Sequence, residues 1–386
     1  MKVLQTIGGF GAKGGGTSTC TYDLLSSMHQ SVSGAEVDLL TPSVTDPSDR
    51  IMGNGEQWIK VVENDYRTPL SISNNMGNFL RQSEYDVYHT NGMWMHINHI
   101  TCSVAREKGR PYVITPHGML YPEALARSAW KKWPLRKLWF DRDIGVASCI
   151  HATCDVEYHH ILDLGYRGPV AIIGNPVAAP EYTKDIYLNK DFNTDGSVKI
   201  GFLGRLHPIK RIENIIKAMS IYRDDKIEFL IIGKGDDSYE TSLRAQAKSL
   251  GLGDRVHFLG FLNGREKFER LSKMTALFVP SDMENFGMII PEALIVGTPV
   301  MASLGTPWEA LNVENCGWWR DNSPESIAGV IEEIKALSPA QLYAMGARGR
   351  EYILKNFAAD RVATQMYSLY QWLNGDSGKP DFVKCI

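Results

Sequence analysis

Glu284 and Glu292 stand eight positions apart in a segment, Pro280 to Pro299, that reads PSDMENFGMIIPEALIVGTP. A strand-like run, Ala276 to Val279, leads into it, and an apolar helical pattern through Ala293, Leu294 and Val296 leads out. Asn285-Phe286-Gly287 between them is turn-forming. Proline is favoured in the first turn of a helix, so Pro291 puts Glu292 near a helix N-terminus and leaves Glu284 in the preceding loop. Backbone N–H groups from Gly287 to Ile290 are then expected to face the same space, and such donors with the helix dipole attract an anion. A carboxylate accepts well from paired sugar hydroxyls. A ligand with phosphate in the middle and hydroxyls on both sides satisfies all three features, as a nucleotide-sugar does. The plainer alternative is an acidic surface loop on an ordinary α/β unit.

A second pair of candidates lies upstream. Val198 to Leu203 reads as a strand, followed by Gly204-Arg205-Leu206-His207-Pro208-Ile209-Lys210 and a helix from Ile212 to Tyr222. An arginine at a strand end and a lysine five residues on can reach one phosphate at the helix N-terminus, each charge-assisted contact contributing roughly 1.5–3 kcal/mol. An isolated pair of this kind is usually solvated charge.

The run Glu284-Asn285-Phe286-Gly287-Met288-Ile289-Ile290-Pro291-Glu292, followed by Ala293 and Gly297-Thr298-Pro299-Val300, resembles the signature of the retaining glycosyltransferases of family 4. The resemblance covers nearly the whole chain and implies an α/β architecture of two Rossmann-like domains facing across a cleft, the GT-B type. It implies an acceptor-binding domain over 1–177, joined by a C-terminal helix that crosses back (about 359–386), and a nucleotide-sugar donor-binding domain over 178–358. Arg205 and Lys210 resemble the family's phosphate clamp, and His117, after the strand Tyr112 to Thr115, matches a histidine that helps hold the transferred sugar. Glu284 would hold hexose hydroxyls and Glu292 the ribose. Gly15, Gly16, Gly204, Gly233, Asn285, Phe286, Gly287, Met288 and Ile289 would line the donor, with Phe261 and Leu262 at the base. No metal and no cofactor is implied; the substrate is a nucleoside diphosphate sugar, UDP-glucose or UDP-galactose favoured, and the acceptor a glycan or lipid-linked sugar. At Gly174-Asn175-Pro176-Val177 the glycine and acidic residue usual after the asparagine are missing, which leaves the hinge unplaced.

These residues need a frame, and 386 residues exceed one hydrophobic core, so two domains are expected. Hydrophobic content of 44%, charged content of 22% and a net charge of −3 are those of a globular protein without attraction to nucleic acid. Six scattered cysteines form no C-x-x-C pair, which fits reduced thiols and a cytoplasmic setting, and no run reaches the roughly 18 apolar residues of a membrane span.

Strand signals at Val3 to Ile7, Glu36 to Leu40, Tyr85 to His89, Tyr112 to Thr115, Ile150 to Thr153 and Val170 to Ile173 build the first half. Those at Val198, Glu228, Val256, Ala276 and Pro299 build the second. The polar run Ala178 to Ser197 reads as the linker between them. Gly9, Gly11 and Gly14 spell G-x-G-x-x-G, which would favour a nicotinamide-dependent oxidoreductase, but the strand ending at Thr41-Pro42 lacks the expected acid. Lys13 precedes the glycines, so a P-loop fails as well. An inactive nucleotide-sugar-binding subunit, or a phosphorylase of the same fold, is a further alternative.

Arg127 to Phe140 carries five basic residues among Trp130, Trp133, Leu135, Leu138, Trp139 and Phe140. That pattern suits peripheral contact with an anionic membrane face, unless the aromatics pack on the sheet. Pro134 should kink or divide it. Asp141-Arg142-Asp143 spells D-x-D without strand context and reads as surface charge.

Overall fold

The first apolar runs are strands buried on both faces, as parallel strands flanked by helices must be. They are β1 (Lys2–Ile7), β2 (Glu36–Pro42), β3 (Ile59–Val62), β4 (Val87–Asn91), β5 (Tyr112–Thr115), β6 (Cys149–Ala152) and β7 (Val170–Ile172). β8 (Val198–Leu203), β9 (Ile227–Ile232), β10 (Val256–Gly260), β11 (Ala276–Val279), β12 (Val300–Ser303) and β13 (Gly317–Arg320) make a second set, and β14 (Val383–Lys384) closes the chain. This computed structural model describes all residues except 13, 45, 47, 66–69, 71, 193–195, 223 and 386, so Lys13 lies outside the described residues.

Two compact units result, one of Met1–Pro176 with Ala359–Ile386, the other of Val177–Ala358. The first holds a sheet in the order β14-β7-β6-β5-β4-β1-β2-β3, parallel except that β14 pairs antiparallel with β7. Alternate residues feed two cores: Leu4, Tyr88, Ile114 and Ile150 pack on one face, and Val3, Val37, Val87 and Val113 on the other. The chain returns at the helix Ala359–Asn374, which lays Val362, Met366, Leu369 and Tyr370 into the second of these cores, beside Leu24, Leu25 and Met28 of the helix Gly16–Ser31.

The second unit has the fully parallel order β10-β9-β8-β11-β12-β13, again with one core on each face. In both sheets the strand order reverses at one place, between β1 and β4 and between β8 and β11. Open α/β sheets bind ligands outside the carboxyl ends of the strands at such switch points.

Several expectations change. The stretch read as linker contains a helix, Glu181–Leu188, with Thr183 and Ile186 buried. Lys190 is buried too, donating to Ser272 O, Met274 O at 3.1 Å and Thr298 Oγ1 at 3.0 Å. Strands β3, β13 and β14 carried no recognised signal, because a four- or two-residue edge strand is too short to show a period. The basic and aromatic stretch divides as Pro134 predicts. A helix, Ala129–Leu135, holds Pro134, which has no N–H to donate, and gives way just after it to a wider π turn over Arg136–Phe140. Asp143 is not surface charge: it is fully buried, held by Arg106 at 2.7 Å and His99 at 2.8 Å.

Candidate functional site

The loops after β8 and β11 lie side by side because those strands are neighbours, although Lys210 and Glu284 are 74 positions apart in sequence. Asp282 N–H donates to Ile209 O at 2.9 Å, and Arg211 Nε donates to Asp282 Oδ2 at 2.6 Å, so each loop fixes the other. Arg211 holds left-handed backbone at φ 50°, a cost of about 1 kcal/mol that this tether offsets. The sequence reading did not single out Arg211 or Asp282.

Lys210 ends a single tight turn, Pro208–Lys210, capped by the His207 ring, which accepts from Ile209 N–H at 3.2 Å. Its ammonium is paired with Glu284, whose carboxylate also accepts from Ser281 Oγ at 2.9 Å. Both partners are largely covered, at 17% and 13% side-chain exposure, which makes this pair stronger than an open surface bridge. Arg205 is exposed at the end of β8, and among the described residues its guanidinium makes no hydrogen bond or ion pair. The structure therefore brings Lys210 and Glu284 together, and leaves Arg205 open on the same loop as Lys210.

Glu292 falls in the first turn of the helix Ile289–Ile295 and pairs with Lys267 of the helix Gly264–Ser272 at 2.8 Å. Lys267 went unread, since nothing in a spacing of 25 residues signals it. Gly287 takes φ 75°, which favours glycine, and its carbonyl accepts from Ile290 N–H at 2.9 Å. That removes Ile290 from the expected row of ligand-facing donors. Phe286 is not a donor contact through its side chain either. The ring is buried against Trp308 and Phe357, each centroid 5.4 Å away, and its carbonyl accepts from the Trp308 indole N–H. Met288 and Ile289 pack partly against the same core, so Phe286, Met288 and Ile289 anchor the loop that presents Glu284, Asn285 and Glu292.

Gly204 and Gly233 end β8 and β9 with φ near 144° and 142°. A Cβ on Gly233 would lie 1.8 Å from Gly204 O, so this glycine is required by the neighbouring backbone whether or not a ligand approaches. Past Gly260, Phe261 exposes 65% of its surface at the C-terminal end of β10, a free face suited to stacking, whereas Leu262 is half buried against the core.

In the first unit His117 follows β5 with φ 52°, and Gly118 with φ 76°. Gly118 N–H donates to Glu157 Oε1 at 2.5 Å, and Glu157 Oε2 accepts from Thr153 N–H and Oγ1 at 2.8 and 2.9 Å, so a fully buried carboxylate pins the loop. Burial, reinforced by His151, pushes the His117 pKa down to about 3, which leaves the ring neutral at pH 7. Its Nε2 contacts Asn91 Oδ1 at 3.2 Å. Gly15 caps the helix Gly16–Ser31 at φ 77° with nothing within 4 Å of where a Cβ would be, and Gly15 and Gly16 are both exposed. Gly11 and Gly14 are instead filled by the protein: their Cβ positions fall 2.0 Å from Asp49 Oδ2 and 2.3 Å from Ser18 Oγ. That crowding disfavours a dinucleotide at the G-x-G-x-x-G run.

The basic and aromatic stretch is split in role. Trp139 stacks on His99 with centroids 4.7 Å apart and Phe140 is buried, whereas Trp130, Trp133 and Leu138 expose 77%, 66% and 72%. Arg136 and Lys137 both pair with Asp141, at 3.0 and 3.1 Å, and Lys132 sits over Trp94 at 5.5 Å. The cationic character is therefore smaller than the sequence implied.

Two Rossmann-like units of this order, with cations and carboxylates at the switch point of the second, define a protein of GT-B architecture. Comparison with known proteins gives the family. Residues 184–351 match the glycosyl transferases group 1, and residues 15–176 match the glycosyl transferase 4-like domain. Together the two models span most of the chain, which belongs with the glycosyl transferases they describe.

An uncharacterized glycosyltransferase of Methanocaldococcus jannaschii is 33% identical over 183 residues, covering 47% of this chain and 43% of the relative. The chain spans about half the length of the curated relatives it matches. Among solved structures, sucrose-phosphate synthase of Thermosynechococcus elongatus superposes with a TM-score of 0.76 at 21% identity, covering 98% of this chain and 100% of that one. Anabaena HepE in complex with UDP gives 0.72 at 17%, covering 96% and 100%. At these identities the structural likeness establishes the fold.

Proposed function

We propose that the protein transfers a hexose from a nucleoside diphosphate sugar to a glycan or lipid-linked oligosaccharide acceptor in polysaccharide assembly, with retention at the anomeric carbon. UDP-glucose and UDP-galactose are the favoured donors, and HepE, similar in fold, is described with UDP. The carrying observation is the convergence of Arg205, Lys210 and Glu284 on two mutually tethered loops where the second sheet reverses its strand order.

Departure of a diphosphate builds negative charge on the leaving oxygen, and fixed cations aimed at that charge lower the barrier. Arg205 is open to take the phosphate, and Lys210 would turn to it from Glu284. The released carboxylate is then free to accept from hexose hydroxyls, so donor binding exchanges one ion pair for two sets of ligand contacts. Glu292, oriented by Lys267, would accept from the ribose hydroxyls, and Phe261 would cover the base. His117, neutral, would hold a sugar hydroxyl. The reading needs no divalent ion.

Thermal-shift titration with UDP-glucose, UDP-galactose and other nucleotide-sugars tests the donor. A true donor at about 100 times its Kd should add about 2.7 kcal/mol of apparent stability. Transfer or slow hydrolysis of that donor, undiminished by chelator, should follow. Binding without either would leave an inactive binding subunit, and dependence on inorganic phosphate would point to a phosphorylase.

The exposed Trp130, Trp133 and Leu138, with Lys131 over Trp130 at 5.2 Å, suit peripheral docking on an anionic bilayer at the inner face of the cell membrane. No helix among the described residues is long and apolar enough to cross a membrane.

A further inference from the structure

One hydrogen-bonded chain runs through the interior of the first unit, and its polarity can be read link by link. Ile173 C=O can only accept, so His151 Nε2 carries the proton and donates at 2.7 Å. His151 Nδ1 is then bare and accepts from the Thr115 hydroxyl at 2.8 Å. With its proton spent there, Thr115 Oγ1 accepts from His89 Nε2 at 2.6 Å, and His89 Nδ1 accepts from the Tyr370 phenol at 2.6 Å. The Tyr370 oxygen accepts from Gln5 Nε2 at 2.7 Å, and Gln5 Oε1 accepts from Asn91 Nδ2 at 2.9 Å. Asn91 therefore turns its oxygen to His117, whose Nε2 must donate at 3.2 Å.

Gln5, His89, Thr115 and Tyr370 are at most 1% exposed, so water does not offer an alternative partner at these links. Burial also keeps His89 and His151 neutral, His151 at about 4, which the alternating roles require. Reversing any one of these buried links would set two donors or two acceptors face to face in a dry interior, at the full desolvation cost of a buried polar group.

We infer that this chain sets the tautomer of His117, with Tyr370 of the C-terminal helix as a positioning residue: Nε2 is committed to Asn91, and Nδ1 is presented as an acceptor for a sugar hydroxyl at the C-terminal edge of the first sheet. Among the described residues no group bonds that nitrogen. A bare imidazole nitrogen accepts from O–H and repels an anionic oxygen, so His117 selects a hydroxyl and not a phosphate. The buried Glu157 carboxylate on Gly118 N–H holds the ring's loop in place. This role rests on the reading of His117 as a sugar-holding residue.

Ring-¹⁵N spectra of the full chain with labelled histidine test it, His117 being assigned by the signal lost in His117→Gln. His89, His117 and His151 should all be neutral with the proton on Nε2 from about pH 5.5 to about pH 8. Tyr370→Phe should convert His117 to a mixture of tautomers and lower UDP-glucose turnover roughly tenfold, the weight of about one hydrogen bond, with the donor KM unchanged. His117 protonated on Nδ1 in the unaltered protein, or unchanged His117 signals in Tyr370→Phe, would overturn the inference. If Tyr370→Phe does not fold, the spectrum of the unaltered chain still decides. The predicted tautomer together with full transfer by His117→Gln would instead overturn the sugar-holding role, leaving the tautomer assignment standing.

Discussion

Arg205 and Lys210 have the same charge, five residues apart, and opposite circumstances. Lys210 is already bonded to Glu284, so a diphosphate must compete for it, whereas Arg205 is exposed at a strand end with no such pair to give up. Arg205→Ala should therefore remove transition-state stabilisation with little loss of fold. Turnover at saturating donor should fall by about two orders of magnitude, the scale of one lost oxyanion donor. Unchanged turnover would reject the clamp. Glu292 makes the complementary point, because a carboxylate read from sequence as a lone ribose ligand is held by Lys267 at 2.8 Å, and the partner fixes its rotamer before any ligand arrives.

At the level of elements, the strand-end glycines that look like ligand contacts have a prior duty. Gly233 N–H donates to Gly260 O at 2.7 Å while its Cα abuts Gly204 O, so the loops of β8, β9 and β10 interlock through bare backbone. Gly233→Ala should destabilise the second unit by about 3 kcal/mol, at the upper end for single substitutions, with the same loss in the presence and absence of nucleotide. Chemical denaturation followed by tryptophan fluorescence measures this, and a loss of donor affinity alone would assign the glycine to the ligand instead. The loop from Glu284 to Glu292 works in the same way: its apolar residues, Phe286 above all, serve as the foot by which its polar residues are aimed.

At the scale of the whole molecule, the C-terminal segment belongs to the first unit despite 182 intervening residues. Stopping the chain at Ala358 would strip Val362, Met366, Leu369, Tyr370 and Val383 from the core, on the order of 10 kcal/mol of apolar burial and comparable to the stability of a domain. Hydrogen exchange should then show protection lost from β1 to β7 and retained in β8 to β13. Flotation with anionic vesicles should likewise recover the full chain and fail for Trp130→Ser with Trp133→Ser; equal recovery of both would remove the membrane contact. The sequence alone determined the alternation of strands and helices, the Glu284 to Glu292 loop and the Arg205, Lys210 pair, because these are written in local periodicity, proline and glycine placement and short spacing. Only the tertiary structure decided that Lys210 rests on Glu284, that Lys267 orients Glu292, that Phe286 faces inward, that Asp143 is buried, and that Tyr370 reaches His117 through Gln5 and Asn91. Those facts depend on which strands become neighbours. Strand order is fixed by the burial of whole faces, which no short window of residues contains.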